Sequence, residues 1–272
     1  MAKPRQQPCL LLIAGSDSSG AAGMQADLRT AGAFGLQALS VVTAITAQGP
    51  RGVTAIHSVP LAALRAQLEA TSGTVIGAVK IGMLGSPGAV AAVSAYLRPK
   101  SLNNVVLDPV LASTSGQPLL TPVALRRLRA NLLPLVDLLT PNLPEAEQML
   151  GRSLRSARSI RSATTELIEL GARAVLLKGG HGQGRSIVDY LNDGNTIHEF
   201  AHARMPWQVR GTGCTLASAV AAGLAQGLRL VDAVEQAEQF LQQAMRTAAP
   251  GQGRQRLLSP LRPGTFVADR TL

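Results

Sequence analysis

Short, mostly apolar runs alternate with helix-like patterns along nearly the whole chain. Cys9–Ala14, Ala38–Thr46, Val75–Ile81, Asn104–Asp108, Val136–Thr140 and Ala174–Lys178 read as strands. Helical patterns run over Met24–Phe34, Leu61–Ala70, Pro87–Leu97, Pro122–Leu132, Leu143–Leu150 and Ala163–Leu170, and later over Thr212–Gln226 and Val231–Thr247. Strands apolar on both faces and separated by helices demand a mostly parallel sheet covered on both sides. Ser186–Leu191 and Thr196–Ala201 read instead as a hairpin, with Asp193-Gly194 as the turn signal. No linker or fixed-period repeat interrupts the alternation. The expectation is one α/β domain over residues 1–272, with a loose Gly/Pro/Arg-rich tail from about residue 250. Ligands in such folds bind beyond the C-terminal ends of the strands.

With 46% hydrophobic and 15% charged residues in 272, the chain can bury a large core, and disorder is excluded. No apolar run is long enough to span a bilayer. Lys3 and Arg5 before the Cys9–Gly15 run imitate a secretion signal, but the run is short and reads as the first strand. Cys9 and Cys214 are too few for a disulfide framework or a structural zinc site. A cytoplasmic protein is expected.

The formal net charge is +10, carried mostly by arginine. Arg152, Arg155, Arg158 and Arg161 recur every third residue and would form a basic stripe on a helix. A nucleic-acid partner would want aromatic stacking as well, and aromatics are 3%. No nucleic acid and no membrane is the expectation, with a solvated arginine face or a phosphate-bearing small substrate explaining the charge. The four histidines, His57, His181, His198 and His202, show no metal-ligand spacing.

Four strand ends carry candidate chemistry. Gly15-Ser16-Asp17-Ser18-Ser19-Gly20-Ala21-Ala22-Gly23 lets a ligand approach backbone closely, or is an ordinary loop. In the next helix Asp27 shares the face of Met24, Leu28 and Ala31. Such a carboxylate needs a partner: a substrate, or the helix dipole in the first turn. Asp108 ends a strand, where it can meet a metal or start a turn. Asn142 and Glu145 open a helix as a capping box or as part of a metal site. Gly211-Thr212-Gly213-Cys214-Thr215 is the sharpest signal. Its amides and helix dipole can hold an anion, and the same dipole should lower the Cys214 pKa. The P-loop and the dinucleotide fingerprint are both missing.

Taken in order, these segments resemble the hydroxymethylpyrimidine/phosphomethylpyrimidine kinases of thiamine biosynthesis, within the ribokinase-like superfamily. The resemblance runs through Gly15–Gly20, Ala22–Thr30, Thr43–Gln48, Lys80–Leu84, Val106–Val110, Thr140–Glu147, Leu177–His181 and Gly211–Thr215. It implies a three-layer α/β/α sandwich around a mostly parallel sheet. It implies two ATP-dependent phosphorylations, of 4-amino-5-hydroxymethyl-2-methylpyrimidine and then of its monophosphate. By motif position, Gln48 would bond the aminopyrimidine, and Gly15, Ala22, Asp27, Met83 and Val110 would line its pocket. Cys214 would be the base, and the amides of Gly211, Thr212, Gly213 and Cys214 would hold the transferring phosphoryl group. Asp108 and Glu145, with Asn142, would organise Mg²⁺ and its waters around ATP. Lys178 and Arg210 would face phosphates, and the protein would be a homodimer.

Arg210 stands where that family usually has His, and Gly49-Pro50 replaces the usual pair after the glutamine. Two other functions remain open from the residues: a pyridoxal or pyridoxine kinase on the same scaffold, and a non-catalytic basic binding module.

Overall fold

Leu10 and Leu12 point to one face of strand β1 (Cys9–Asp17) and Leu11 and Ile13 to the other, and all four are fully buried. A strand of that kind has to lie in the middle of a covered sheet. In the computed structural model, which describes residues 8–49, 52–100, 102–113, 116–180, 186–250 and 255–258, it does. β1 lies between β2 (Ala38–Gly49) and β4 (Ile76–Ile81), parallel to both. The sheet continues in parallel through β5 (Val105–Leu107), β6 (Leu138–Leu139) and β7 (Ala174–Leu177). Antiparallel strands close its two edges. β3 (Gly52–Ser58) pairs with β2, and β8 (Ser186–Asn192) and β9 (Ile197–Ala203) follow β7. The nine strands run in the order β3-β2-β1-β4-β5-β6-β7-β8-β9.

Helices cover both faces, so the architecture is the expected three-layer α/β/α sandwich. On one side pack α1 (Gly23–Ala33), α7 (Thr212–Ala225) and α8 (Leu230–Arg246), whose Met24, Val220 and Phe240 meet Leu10 and Leu12. On the other lie α2 (Leu61–Ala70), α3 (Pro87–Leu97), α4 (Pro122–Arg127), α5 (Leu143–Leu150) and α6 (Ala157–Glu169), whose Leu64, Val93, Ala124, Ala146 and Leu167 meet Leu11 and Ile13. No helix among the described residues is long and apolar enough to cross a membrane.

Several expectations change. The strand at Ala38 runs on to Gly49 and folds back as β3, which has no continuous apolar run to announce it. The helix expected over Pro122–Leu132 is α-helical to Arg127, then π-helical over Leu128–Leu132 and 3-10 over Leu133–Leu135. Of Val136–Thr140 only Leu138–Leu139 is strand, and the Asp137 carboxylate accepts the Val105 N–H at 2.9 Å beside it. α6 starts at Ala157, where the Ser156 hydroxyl caps it, so Arg152 and Arg155 precede the helix and no four-arginine helical stripe exists. Arg152 pairs with Glu166 and Arg161 with Glu199. The tail expected to be loose contributes structure too. Ala249–Pro250 (β11) and Gln255–Leu257 (β12) join β10 (Gln208–Arg210) in a second, three-stranded sheet, and Arg256 stacks 4.0 Å over Trp207. His181 and Pro50 lie outside the described residues.

Candidate active site

α7 begins on Gly211 at φ 80°, a left-handed conformation that suits glycine. A β-carbon there would also run into the carbonyl oxygen of Ala21. The Gly211 loop is therefore seated on the loop that follows β1. No side chain among the described residues caps this helix end, which leaves the first-turn amides of Thr212, Gly213 and Cys214 for an anion. The seat is charged from behind. A β-carbon on Gly213 would stand 3.2 Å from Lys178 Nζ and 3.6 Å from Asp108 Oδ2. Lys178 donates to Asp108 Oδ1 at 2.8 Å. Burial opposes the Lys178 charge, but the Asp108 and Glu145 carboxylates outweigh it and raise the pKa.

Glu145 and Asn142 form the capping box of α5: the Asn142 N–H donates to Glu145 Oε2, and the Glu145 N–H to Asn142 Oδ1, both at 2.9 Å. The box does not end the matter. Glu145 is buried beside Lys178 and Asp108, and burial pushes its carboxyl up to about 7. Thr140, fully buried, donates to Asp108 Oδ1 at 3.4 Å and had no place in the sequence reading.

Lys80 is the main omission of the sequence reading. Its ammonium donates to both carboxylate oxygens of Asp27 at 2.8 Å, and neither side chain is exposed. Ser218 of α7 donates to the same carboxylate at 2.8 Å. Asp27 is thus sealed beneath the site, a correction to its placing in the pocket lining. It also stands beyond the first turn of α1, so the dipole reading fails too. Leu28, expected on the same buried face, is 41% exposed. The available signal was a lysine near the end of an otherwise apolar strand, which cannot be buried without a counter-charge.

Cys214 sits in this network with the opposite behaviour to that expected. Burial pushes its thiol up to about 11, overcoming the nearby Lys80 ammonium, and the Gly23 N–H donates to the sulfur. Desolvation outweighs the helix dipole because the dipole supplies only partial charges.

The remaining candidates gather on the β1–β2 side. A β-carbon on Gly15 would lie 3.1 Å from Met83 Sδ, so a larger residue there would have to push Met83 aside. Met83 joins Val110, Ala44 and Leu119 in a small apolar cluster. Ala22 opens α1 and donates its N–H to Asp17 Oδ2 at 2.9 Å. Gln48 stands at a bulge in the β2–β3 pairing, and its backbone is fixed by Ser18, whose hydroxyl accepts the Gln48 N–H and donates to the Gln48 carbonyl, both at 2.9 Å. Arg210 is buried and reaches the Gly49 carbonyl at 3.4 Å, with Nη2 unpartnered. It therefore reaches the strand end that carries Gln48, next to the Gly211 helix start.

The family model for phosphomethylpyrimidine kinase matches residues 17–257. The chain is 44% identical over 250 residues to the hydroxymethylpyrimidine/phosphomethylpyrimidine kinase of Rhizobium meliloti, covering 90% of this chain and 94% of that one. It is 43% identical over 249 residues to the thiamine biosynthesis bifunctional protein ThiED of Geobacter sulfurreducens, covering 91% of this chain but spanning about half (51%) of that longer protein. Among solved structures it resembles a phosphomethylpyrimidine kinase from Clostridium difficile (TM-score 0.79, 38% identity, 88% of this chain and 99% of that one). It also resembles the ADP complex of Bacillus subtilis pyridoxal kinase (TM-score 0.86, 32% identity, 93% of this chain and 97% of that one). With a family model matching most of its length and relatives at 43–44% identity, the chain belongs to the phosphomethylpyrimidine kinase family.

Proposed function

We propose that this protein phosphorylates 4-amino-5-hydroxymethyl-2-methylpyrimidine with ATP and then phosphorylates the monophosphate to the diphosphate. The observation that carries this reading is the Gly211–Cys214 helix start facing Lys178 and Asp108 and seated against the loop that follows β1. The substrate oxygen, a hydroxyl in the first transfer and a phosphate oxygen in the second, attacks the γ-phosphorus as the bond to the bridging oxygen of ADP breaks. The hydroxyl proton of the first transfer passes to a Cys214 thiolate formed beside the Lys80 ammonium. Charge spreads onto the phosphoryl oxygens, where the first-turn amides and Lys178 offset it. Phosphoryl transfer of this loose kind needs placement and charge more than an early base. That suits Cys214, whose thiol is protonated in the ligand-free protein and whose thiolate depends on Lys80.

Asp108 and Glu145 are the residues that would hold Mg²⁺. Both already accept protein donors, which fits a cation that keeps most of its waters and touches few carboxylates. The ion would neutralise the nucleotide phosphates. A cytoplasmic homodimer completes the proposal.

A coupled ADP-release assay with ATP in excess tests it. About two ADP per pyrimidine is the expected end point, one per transfer. About one would restrict the enzyme to a single step. A pyridoxal kinase is the second reading, favoured by the TM-score of 0.86 to the Bacillus enzyme. No release with the pyrimidine and turnover with pyridoxine would establish it in place of the first, and the ratio of the two kcat/KM values grades the preference. The basic binding module loses its motivation, because Arg152 and Arg161 are paired.

A further inference from the structure

His202 has no metal partner in the sequence around it, but the sheet brings two to it. Asp189 on β8, His202 on β9 and Glu238 on α8 place one ligand atom each within 4.8 Å of one another. His202 Nδ1 is 3.9 Å from Glu238 Oε2. Asp189 and Glu238 are 4% and 6% exposed. Asp189 is already aimed, because the Gly179 N–H donates to its Oδ1 at 2.5 Å. Glu238 is satisfied by no standing donor: among the described residues nothing donates to either of its buried oxygens, and its hydrogen bond to Asp189 needs a shared proton.

We propose that Asp189, His202 and Glu238 bind a divalent transition-metal ion of the zinc type. A buried carboxyl group without a donor is costly, and two carboxylates side by side are costlier. Something positive must lie between them. It is a proton or a cation, and burial with the neighbouring Asp189 does hold the Glu238 proton, up to about 9. The imidazole decides for the cation. A ring nitrogen 3.9 Å from Glu238 is too far for a hydrogen bond. It is in range for two ligands of one ion at about 2.0–2.2 Å each. One imidazole with two carboxylates suits zinc and its borderline neighbours better than magnesium, which prefers an all-oxygen octahedron. The Gly179 N–H on Asp189 supplies the outer hydrogen bond that orients a ligating carboxylate. An ion here would tie the β8–β9 hairpin to α8 and fix Gly179, the residue after Lys178. The site borders the phosphoryl seat through Lys178 and Gly179, but its test does not depend on catalysis.

The full-length protein is stripped with a chelator, given zinc or magnesium, dialysed and assayed for bound metal and for its melting temperature. About one zinc retained per chain, with Tm raised by about 4 °C or more at a hundredfold excess over Kd, is expected. Magnesium should give neither. Glu238→Gln keeps the side-chain shape and His202→Ala removes a partly exposed ring, so both variants should fold, and both should lose the zinc response. Zinc retained equally by either variant would overturn the proposal, since the ion would then sit on other groups. Failure of the wild type to retain zinc would also overturn it and leave the shared proton as the occupant. Should one variant fail to fold, the other carries the same comparison. A cobalt-loaded sample whose visible absorption is lost in His202→Ala would confirm the imidazole ligand directly.

Discussion

The Lys80 ammonium lies 2.8 Å from both oxygens of Asp27, and the two side chains form an ion pair with no solvent contact. Three elements meet at this pair: β4 supplies the lysine, α1 the aspartate, and α7 the Ser218 hydroxyl that also donates to it. Desolvation opposes both charges: burial raises the Asp27 pKa despite Lys80 and Ser218, whereas at Lys80 the attraction of the carboxylate wins. Lys80 consequently stays protonated well above the ordinary lysine range, with burial working against it and Asp27 more than offsetting that.

Removing one partner should be far worse than removing both. Lys80→Met leaves Asp27 buried with a single hydroxyl donor and should cost about 3–5 kcal/mol in urea denaturation. The double change Lys80→Met with Asp27→Leu should recover most of that loss. Equal losses for single and double variants would show that the two residues act independently.

Cys214 should react slowly with an alkylating reagent near neutral pH. With the thiol pushed up to about 11, the reaction rate should still be climbing beyond pH 9. A plateau near pH 7 would mean a thiolate stabilised as first expected from the helix dipole. Cys214→Ala should lower kcat by about 10²–10⁴ if the sulfur takes the substrate proton.

Glu145 makes stability fall as pH rises. Its proton is held to about 7 in the folded chain and only to 4.5 in the unfolded one. Between those values the folded state binds more protons, so the slope of stability against pH is negative for this group. Its contribution is fully present below about 4.5 and lost above about 7. Comparing metal-free wild type with Glu145→Gln over that range should show the slope flatten in the variant.

Gly211→Ala should displace the phosphoryl seat, because the new methyl group meets the Ala21 carbonyl and φ is 80°. Loss of one aligned donor predicts a fall in kcat of about 10²–10³ with the fold retained. An unchanged kcat, measured beside an unchanged circular dichroism spectrum, would remove the amides of this turn from the mechanism.

Arg210→Ala should separate the two transfers. Its buried guanidinium reaches Gly49 beside Gln48, on the acceptor side. A bidentate cation placed there suits the phosphate of the monophosphate acceptor. KM for that acceptor should rise more than KM for the unphosphorylated pyrimidine, and an equal rise would return Arg210 to the nucleotide side.

The sheet was legible because its strands are apolar on both faces, as at Leu10–Ile13, and because Gly/Ser-rich segments follow them. The candidate seat at Gly211–Cys214 was legible for the same local reason. What escaped depends on distant neighbours. β3 is an edge strand with a polar face, so it has no apolar run to betray it. Lys80 looked like part of a motif until Asp27 appeared opposite it. The Cys214 thiol was misjudged because a sequence displays the helix that follows it and not the depth at which it lies. Asp189, His202 and Glu238 come from two strands and a helix whose convergence no spacing rule encodes.

The seating of Gly211 against Ala21 has a consequence for synthesis. Everything from the first strand to the start of α7 must have left the ribosome before these two loops can meet. The central strand β1 can find β2 early, but β4 and then α7 must arrive to complete its flanks. A nascent chain halted before α7 would carry the acceptor half of the site without the phosphoryl half. Such a fragment would lack the Gly211–Cys214 helix start on which the proposed transfer depends.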